Sequence, residues 1–204
     1  QLASAQLARL GFGGGVAAEA VKRFQEAYGV EPTGVLGPTT LDMLEKATHS
    51  SITLDQFLAI GPNLSPEDAQ AWLPYLNASF IAGDVTTRSR QEMYLAQLAH
   101  ETDGFNTLEE YASGHAYEGY APLGNTQSGD GARFKGRGGI QLTCRANYAA
   151  ASERLGVDLV NNPELAKDPR YAFLISADFW KQNGLNQRAD RGDFEGTTDV
   201  INYY

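Results

Sequence analysis

The chain has one cysteine, Cys144, three histidines, and no apolar run near the ~20 residues a membrane-spanning helix needs. A lone thiol excludes an internal disulfide, so the fold does not depend on an oxidising compartment, although export stays open. It also excludes a cysteine cluster for structural zinc. The first residues, Gln1-Leu2-Ala3-Ser4, lack the positive and apolar regions of a secretory leader, so no signal peptide is expected in this chain. Positive charge is scarce too. Sixteen Lys and Arg against 25 Asp and Glu give a net charge of -9, which argues against a nucleic-acid footprint but is neutral toward an uncharged or mixed-charge polysaccharide. No internal repeat is present.

The 204 residues suffice for a small module plus a larger domain. Residues 16 to 28 read as a helix, with Val21, Phe24 and Tyr28 on one face and Glu19, Lys22, Arg23 and Glu26 pointing away. Gly29 ends it, Glu31-Pro32-Thr33-Gly34 forms a turn, and Gly37-Pro38 starts a second helix carrying Leu41 and Leu44. The polar stretch Thr48-His49-Ser50-Ser51-Ile52-Thr53 reads as a linker. Beyond it, Ser65-Pro66-Glu67-Asp68 starts a helix reaching about Ala82. Ser89 with Glu92 reads as the capping box of another, running to about Thr102.

That last helix carries the first candidate for chemistry. Tyr94, Leu98 and Glu101 are spaced four and three apart, so the Glu101 carboxylate emerges from the apolar face. Desolvation keeps a carboxyl protonated, the condition for a general acid at neutral pH. The competing reading is a buried Glu paired with Arg137 or Arg145. A second acidic step follows at Glu109-Glu110. On one continuous helix Glu101 and Glu110 would lie more than ~10 Å apart on opposite faces. They can meet only if Asp103-Gly104-Phe105-Asn106 reverses the chain, with Gly and Asn supplying left-handed backbone. Spacing leaves Glu109 as the rival of Glu110.

From Gly114 to Gly139 the chain is too glycine-rich for one helix, and long ordered loops are usually functional. In Ile140-Gln141-Leu142-Thr143 apolar and polar residues alternate, predicting a short strand that buries Ile140 and Leu142 and presents Gln141 and Thr143. Arg133, Lys135, Arg137 and Arg145 cluster here, either as a solvated basic loop or as a cleft wall meeting anionic substrate groups.

Two resemblances sharpen these readings. Val21-Lys22-Arg23-Phe24-Gln25-Glu26-Ala27-Tyr28-Gly29-Val30, followed by Gly37-Pro38-Thr39-Thr40-Leu41, resembles the C-terminal half of a type 1 peptidoglycan-binding domain. It departs at Gly11-Phe12-Gly13-Gly14-Gly15, where that family has a longer turn. The remainder resembles the catalytic domain of glycoside hydrolase family 19, in its chitinase-like endolysin branch. The match runs through Tyr94 to Thr102, Tyr117-Glu118-Gly119, Leu123-Gly124-Asn125-Thr126, Gly129 to Gly138, Ile140 to Thr143, Asn147-Tyr148, Val160 to Leu165, Phe179-Trp180 and Ile201-Asn202.

The resemblance implies a peptidoglycan-binding module at 1–47, a linker at 48–53 and a family 19 domain at 54–204. The expected fold is mostly α: a lysozyme-like, two-lobed α+β catalytic domain beside a small helical wall-binding module. It implies Glu101 as general acid, Glu110 as general base and Thr143 as the hydroxyl that holds the attacking water. Gln141, Asn147, Asn202, Arg137 and Tyr111 are the expected substrate contacts. In an inverting enzyme of this kind the carboxylates stand roughly 6.5–9.5 Å apart, leaving room for water. Tyr120 stands where the family commonly has Arg, Cys144 where it has Gly, and the chain ends where members continue, so a shortened C-terminus is expected.

The resulting expectation is an endolysin-type glycosidase cutting β-1,4 bonds of peptidoglycan as a monomer, with no cofactor, metal, nucleic acid or membrane partner. It would reside in a host cytoplasm before release to the wall, or be secreted. Action on chitin oligomers and wall binding with little activity are the alternatives. A zinc amidase using His100, His115 and Cys144 is disfavoured, because residue 104 is Gly and no His-Glu-x-x-His pattern forms. Turnover is therefore expected to survive EDTA. Loss on chelation, restored by zinc, would overturn the two-carboxylate mechanism.

Overall fold

The computed structural model describes residues 2–14 and 17–202. Helix α1 spans Leu2–Arg9, α2 Ala17–Ala27 and α3 Pro38–Ser50. The expected start of α2 at Val16 and the Gly15 end of the glycine turn lie outside the described residues. Val21, Phe24 and Tyr28 are buried as their spacing requires, stacking on Phe12 around a small core completed by Leu7, Leu10 and Leu44. Gln25 ties the module's turn together. Its buried amide donates to Thr33, Val35 and Thr40 and accepts from the Gly34 N–H.

Helix α4 covers Leu54–Ile60, α5 Pro66–Ala82 and α6 Arg88–Glu101. Ser65 caps α5 as its sequence predicts, accepting from the Asp68 N–H at 3.0 Å. The Ser89–Glu92 capping box does not form. Thr87, in extended backbone two positions earlier, accepts the Arg90 N–H, so Ser89 already lies inside α6 and Glu92 pairs with Arg88 instead. The glycine-rich segment folds as two short turns of 3-10 helix at His115–Tyr117 and Ala121–Leu123, then α7 at Asp130–Arg133. Helices α8 (Arg145–Leu155), α9 (Pro169–Gln182), α10 (Leu185–Asp190) and α11 (Phe194–Asn202) are the remaining α-helices among the described residues.

The fold is mostly helical and lysozyme-like, with two cores meeting on α9. One face of α9 gives Phe173 and Trp180 to the larger core, shared with α4, α5 and α6, where Tyr94 meets Trp180 edge to face at 5.1 Å. Ile175 enters a smaller core with Phe134, Leu142 and Tyr148. The predicted strand 140–143 is absent. Antiparallel bridges pair Arg137 with Glu109 and with Leu142, but positive φ at Gly138, Gln141 and Cys144 turns the backbone away from extended geometry on both sides. The burial pattern nevertheless holds, with Ile140 and Leu142 inside and Gln141 and Thr143 half-exposed.

The stretch 48–53 is not a free spacer. Residues 48–50 finish α3, and Ile52 is buried, its backbone N–H and C=O both bonded to the Asn77 side chain of α5 at 3.0 and 3.2 Å. Gln91 of α6 donates to the Ser50 carbonyl, and Arg9 of α1 to the Ser51 hydroxyl. Ala78 of α5 is part of the module's core. Gly11 packs on Pro74, where a Cβ would come within 2.7 Å of the ring. The polarity that suggested a linker is the polarity of groups bonding across a junction. Asn77→Ala orphans a buried N–H and a buried C=O, so it should cost about 1–3 kcal/mol. Denaturant unfolding is expected to remain a single transition with a lower midpoint; separate melting of the two halves would show that the junction does not couple them.

Candidate active site

Three consecutive left-handed residues, Asp103, Gly104 and Phe105, reverse the chain after α6. The sequence pointed to Gly104 and Asn106; Phe105 takes the strained position instead of Asn106. Left-handed backbone costs a non-glycine residue about 1–2 kcal/mol. Burial of Phe105 edge to face on Phe57 at 5.0 Å offsets this, as does the Thr102 hydroxyl, which accepts the Phe105 N–H. The reversal carries 107–110 back along the glycine-rich loop, where the Glu110 N–H bonds the Gly136 carbonyl at 2.9 Å.

Glu101, at the C-terminus of α6, lines a cavity of about 190 Å³ with Gln141, Thr143, Asn147 and Asn202, floored by Ile140, Leu142, Phe179 and Ile201. Five of the eight expected site residues therefore meet. Burial pushes the Glu101 carboxyl above the usual carboxylate range, partly countered by neighbouring His100. Among the described residues Glu101 makes no ion pair. Arg137 and Arg145, its sequence-level rivals for a partner, are engaged with Glu109 and Glu164 and with Asp130 respectively.

Glu110 stands beside this cavity. Its Oε1 accepts the Gly136 N–H at 2.7 Å and its Oε2 the Tyr117 hydroxyl at 3.2 Å. A Cβ on Gly136 would lie 2.8 Å from Gln141 Oε1 and 3.4 Å from Glu110 Cδ, so one glycine separates the carboxylate from the cavity wall. Thr143 donates to the Gln141 carbonyl, and Asn147 donates to the Thr143 carbonyl, which fixes the turn bearing all three. Cys144 holds φ +71° and ψ 147°, backbone essentially reserved for glycine.

Glu109 faces the other way. Although burial raises its carboxyl, hydrogen bonds from Lys135, Arg137 and Lys167 outweigh that and hold it at about 2. Arg137 is not a cleft wall. It is 3% exposed, and its guanidinium donates to Glu109 (2.8 Å), Glu164 (2.6 Å), the Arg133 carbonyl and the Tyr148 hydroxyl. Lys135 and Arg145 are likewise paired internally, with Glu109 and Asp130, whereas Arg133 is exposed and donates to the Val160 carbonyl. Tyr111 lies outside the cavity, 73% exposed, its hydroxyl bonded to Asp103 and Asn106. Sequence reasoning missed Tyr117 and Gly136 as the holders of Glu110; nothing in their spacing marks them. Among the described residues no three His, Cys, Asp or Glu are grouped to hold a metal, and no helix is long and apolar enough to cross a membrane.

Residues 69–191, more than half of the chain, match the class I chitinase profile of glycoside hydrolase family 19. The chain belongs to this family. Residues 2–44 match the peptidoglycan binding domain profile. Among relatives, a basic endochitinase of Vitis vinifera is 37% identical over 113 residues, covering 48% of this chain and 35% of the relative. Chitinase 7 of Oryza sativa subsp. japonica is 31% identical over 152 residues, covering 64% and 44%. Chitinase C from Streptomyces griseus HUT6037 superimposes with a TM-score of 0.51 at 28% identity, covering 63% of this chain and 65% of that one. The chain thus spans less than half the length of these plant relatives.

The family's pairing of chemistry with structure is tested at Glu109. Its folded value of about 2 lies below the ~4.3 of an unfolded Glu, so it contributes stability above about pH 4 that is lost as pH falls toward 2. Glu109→Gln should lower stability at pH 7 and flatten the acid-unfolding limb between about pH 4 and 2. An unchanged limb would show that the carboxylate is not coupled to the three cations.

Proposed function

We propose that the chain is an inverting endoglycosidase that hydrolyses β-1,4 bonds in bacterial peptidoglycan, with residues 54–204 catalytic and residues 1–47 binding the wall. The observation that carries the reading is the pairing of two carboxylates in opposite environments beside one cavity: Glu101, raised by burial, and Glu110, held by a backbone N–H and a tyrosine hydroxyl. Glu101 delivers its proton to the glycosidic oxygen as the bond to C1 breaks. Glu110 takes a proton from a water attacking C1 from the opposite face. Thr143 spends its hydroxyl proton on the Gln141 carbonyl, leaving lone pairs to accept from that water. Gln141, Asn147 and Asn202 supply amide contacts to the sugar along the same cavity. Tyr111 offers an exposed ring, held by its hydroxyl, at the Asp103 turn. The chain works as a monomer without cofactor and acts on wall outside the membrane.

The N-terminal peptidoglycan binding match favours wall over chitin, whereas the plant and Streptomyces relatives carry chitinase names and favour chitin. Parallel digestion of purified wall and of chitin oligosaccharide separates the two readings. Glu101→Gln and Glu110→Gln should each lower turnover by about 10²–10⁴ with the fold intact. Because Glu101 must be protonated, turnover should fall as pH rises through its raised value. Early proton NMR of a soluble oligosaccharide digest should show the α anomer; an initial β anomer or a 1,6-anhydro product would replace water attack with a covalent or transglycosylase route.

A further inference from the structure

Where the module meets the catalytic domain there is a second cavity, about 400 Å³, lined by Arg9, Gly11, Gly13, Leu54, Asp55 and Gln70. Three observations at this place are independent of the cleft. Arg9 and Asp55 both line it, both are exposed, and among the described residues neither forms an ion pair; Arg9 is held only by its Nε–H on the Ser51 hydroxyl at 3.2 Å. Pro74 sits inside α5 four residues after Gln70, and having no N–H it cannot close the helical bond onto the Gln70 carbonyl. The glycine turn that departs from the peptidoglycan-binding pattern supplies Gly11 and Gly13 to this wall, their side-chain-free faces packed on Pro74 and Ala8, so no side chain of the turn fills the groove. The groove thus offers a cation, an anion, a main-chain acceptor without its helical donor, and an apolar floor in Leu54 and Leu73.

We propose that this junction groove binds a short peptide carrying both a carboxylate and an ammonium group, the chemistry of the peptide stems that branch from peptidoglycan and are absent from chitin. Arg9 pairs with the carboxylate, and Asp55 with the Gln70 carbonyl receives the ammonium. The module shares Ala78 of α5 in its core and the junction residue Ile52 is bonded to Asn77 of the same helix, so the groove stands at a set position relative to the cleft and couples stem recognition to glycan cleavage. The wall assignment rests on the function proposed above; the binding does not.

The test titrates the soluble tripeptide alanyl-γ-glutamyl-lysine into the full chain, followed by backbone amide NMR. Shifts are expected at residues 8–13, 53–55 and 70, with at least tenfold weaker binding in the Arg9→Gln/Asp55→Asn double variant, whose fold is checked by its melting curve. The ratio of wall to chitin-oligosaccharide turnover should fall at least threefold in that variant. Absence of shifts at millimolar tripeptide, or shifts confined to other surfaces, overturns the site even if the chain digests wall. Failure to cleave either polymer would sink the glycosidase reading while leaving the tripeptide titration to decide this one.

Discussion

The Arg137 guanidinium organises the catalytic half of the molecule. Buried among Glu109, Glu164, Tyr148 and the Arg133 carbonyl, it uses nearly its full fork of donors on groups from four separate segments. A buried cation with one partner removed leaves an uncompensated charge, at a cost of about 3–5 kcal/mol. The backbone of the same residue bridges Glu109 on one side and Leu142 on the other. The two carboxylates of Glu109-Glu110 thus have opposite fates from one anchor. With Glu109 drawn onto Arg137, Lys135 and Lys167, Glu110 points to the other side, against Gly136 and Tyr117. An Arg that reads from sequence as a substrate contact instead draws Glu109 inward, while adjacent Glu110 turns toward Gly136 beside the cavity.

Much of the fold was legible because local chemistry and burial agree. The apolar stripe Val21-Phe24-Tyr28, the Ser65-Pro66 start of α5 and the Tyr94-Leu98-Glu101 face each name their own neighbours. What was illegible depends on partners distant in sequence. Alternation in 140–143 predicts burial correctly but not extended backbone, since the turn is imposed by Gly138, the left-handed Gln141 and close packing of Gly139 on Leu98 and Ser176. The Ser89 cap failed because Thr87 offers a hydroxyl two residues earlier and takes the Arg90 N–H. The motif residues Glu118 and Asn125 prove structural: Glu118 accepts the Gly129 and Gly131 N–H groups, and Asn125 accepts the Arg145 N–H.

The polar stretch before Thr53 carries the same lesson at domain scale. A tether raises the effective concentration of an enzyme at an insoluble polymer even when it is loose. Here α5 belongs to both units, giving Ala78 to the module core and Leu73, Leu76 and Phe80 to the catalytic core. A module docked this way has its orientation relative to the cleft set by the shared helix, so in the proposed function it would confer orientation as well as proximity.

Orientation is also the theme inside the cleft. A water-attack mechanism needs one acid kept protonated and one base kept aimed, and the two demands conflict if both carboxylates share an environment. In the proposed mechanism Glu101 meets the first through burial at the end of α6, which outweighs the opposing effect of neighbouring His100. In that proposal Glu110 meets the second through two directional hydrogen bonds, from the Gly136 N–H and the Tyr117 hydroxyl. The left-handed turn at 103–105 is what allows both within nine residues, since a helix continued past Glu101 would separate them. Strain in that turn is the structural cost of bringing Glu101 and Glu110 to the same region of the fold from one short segment.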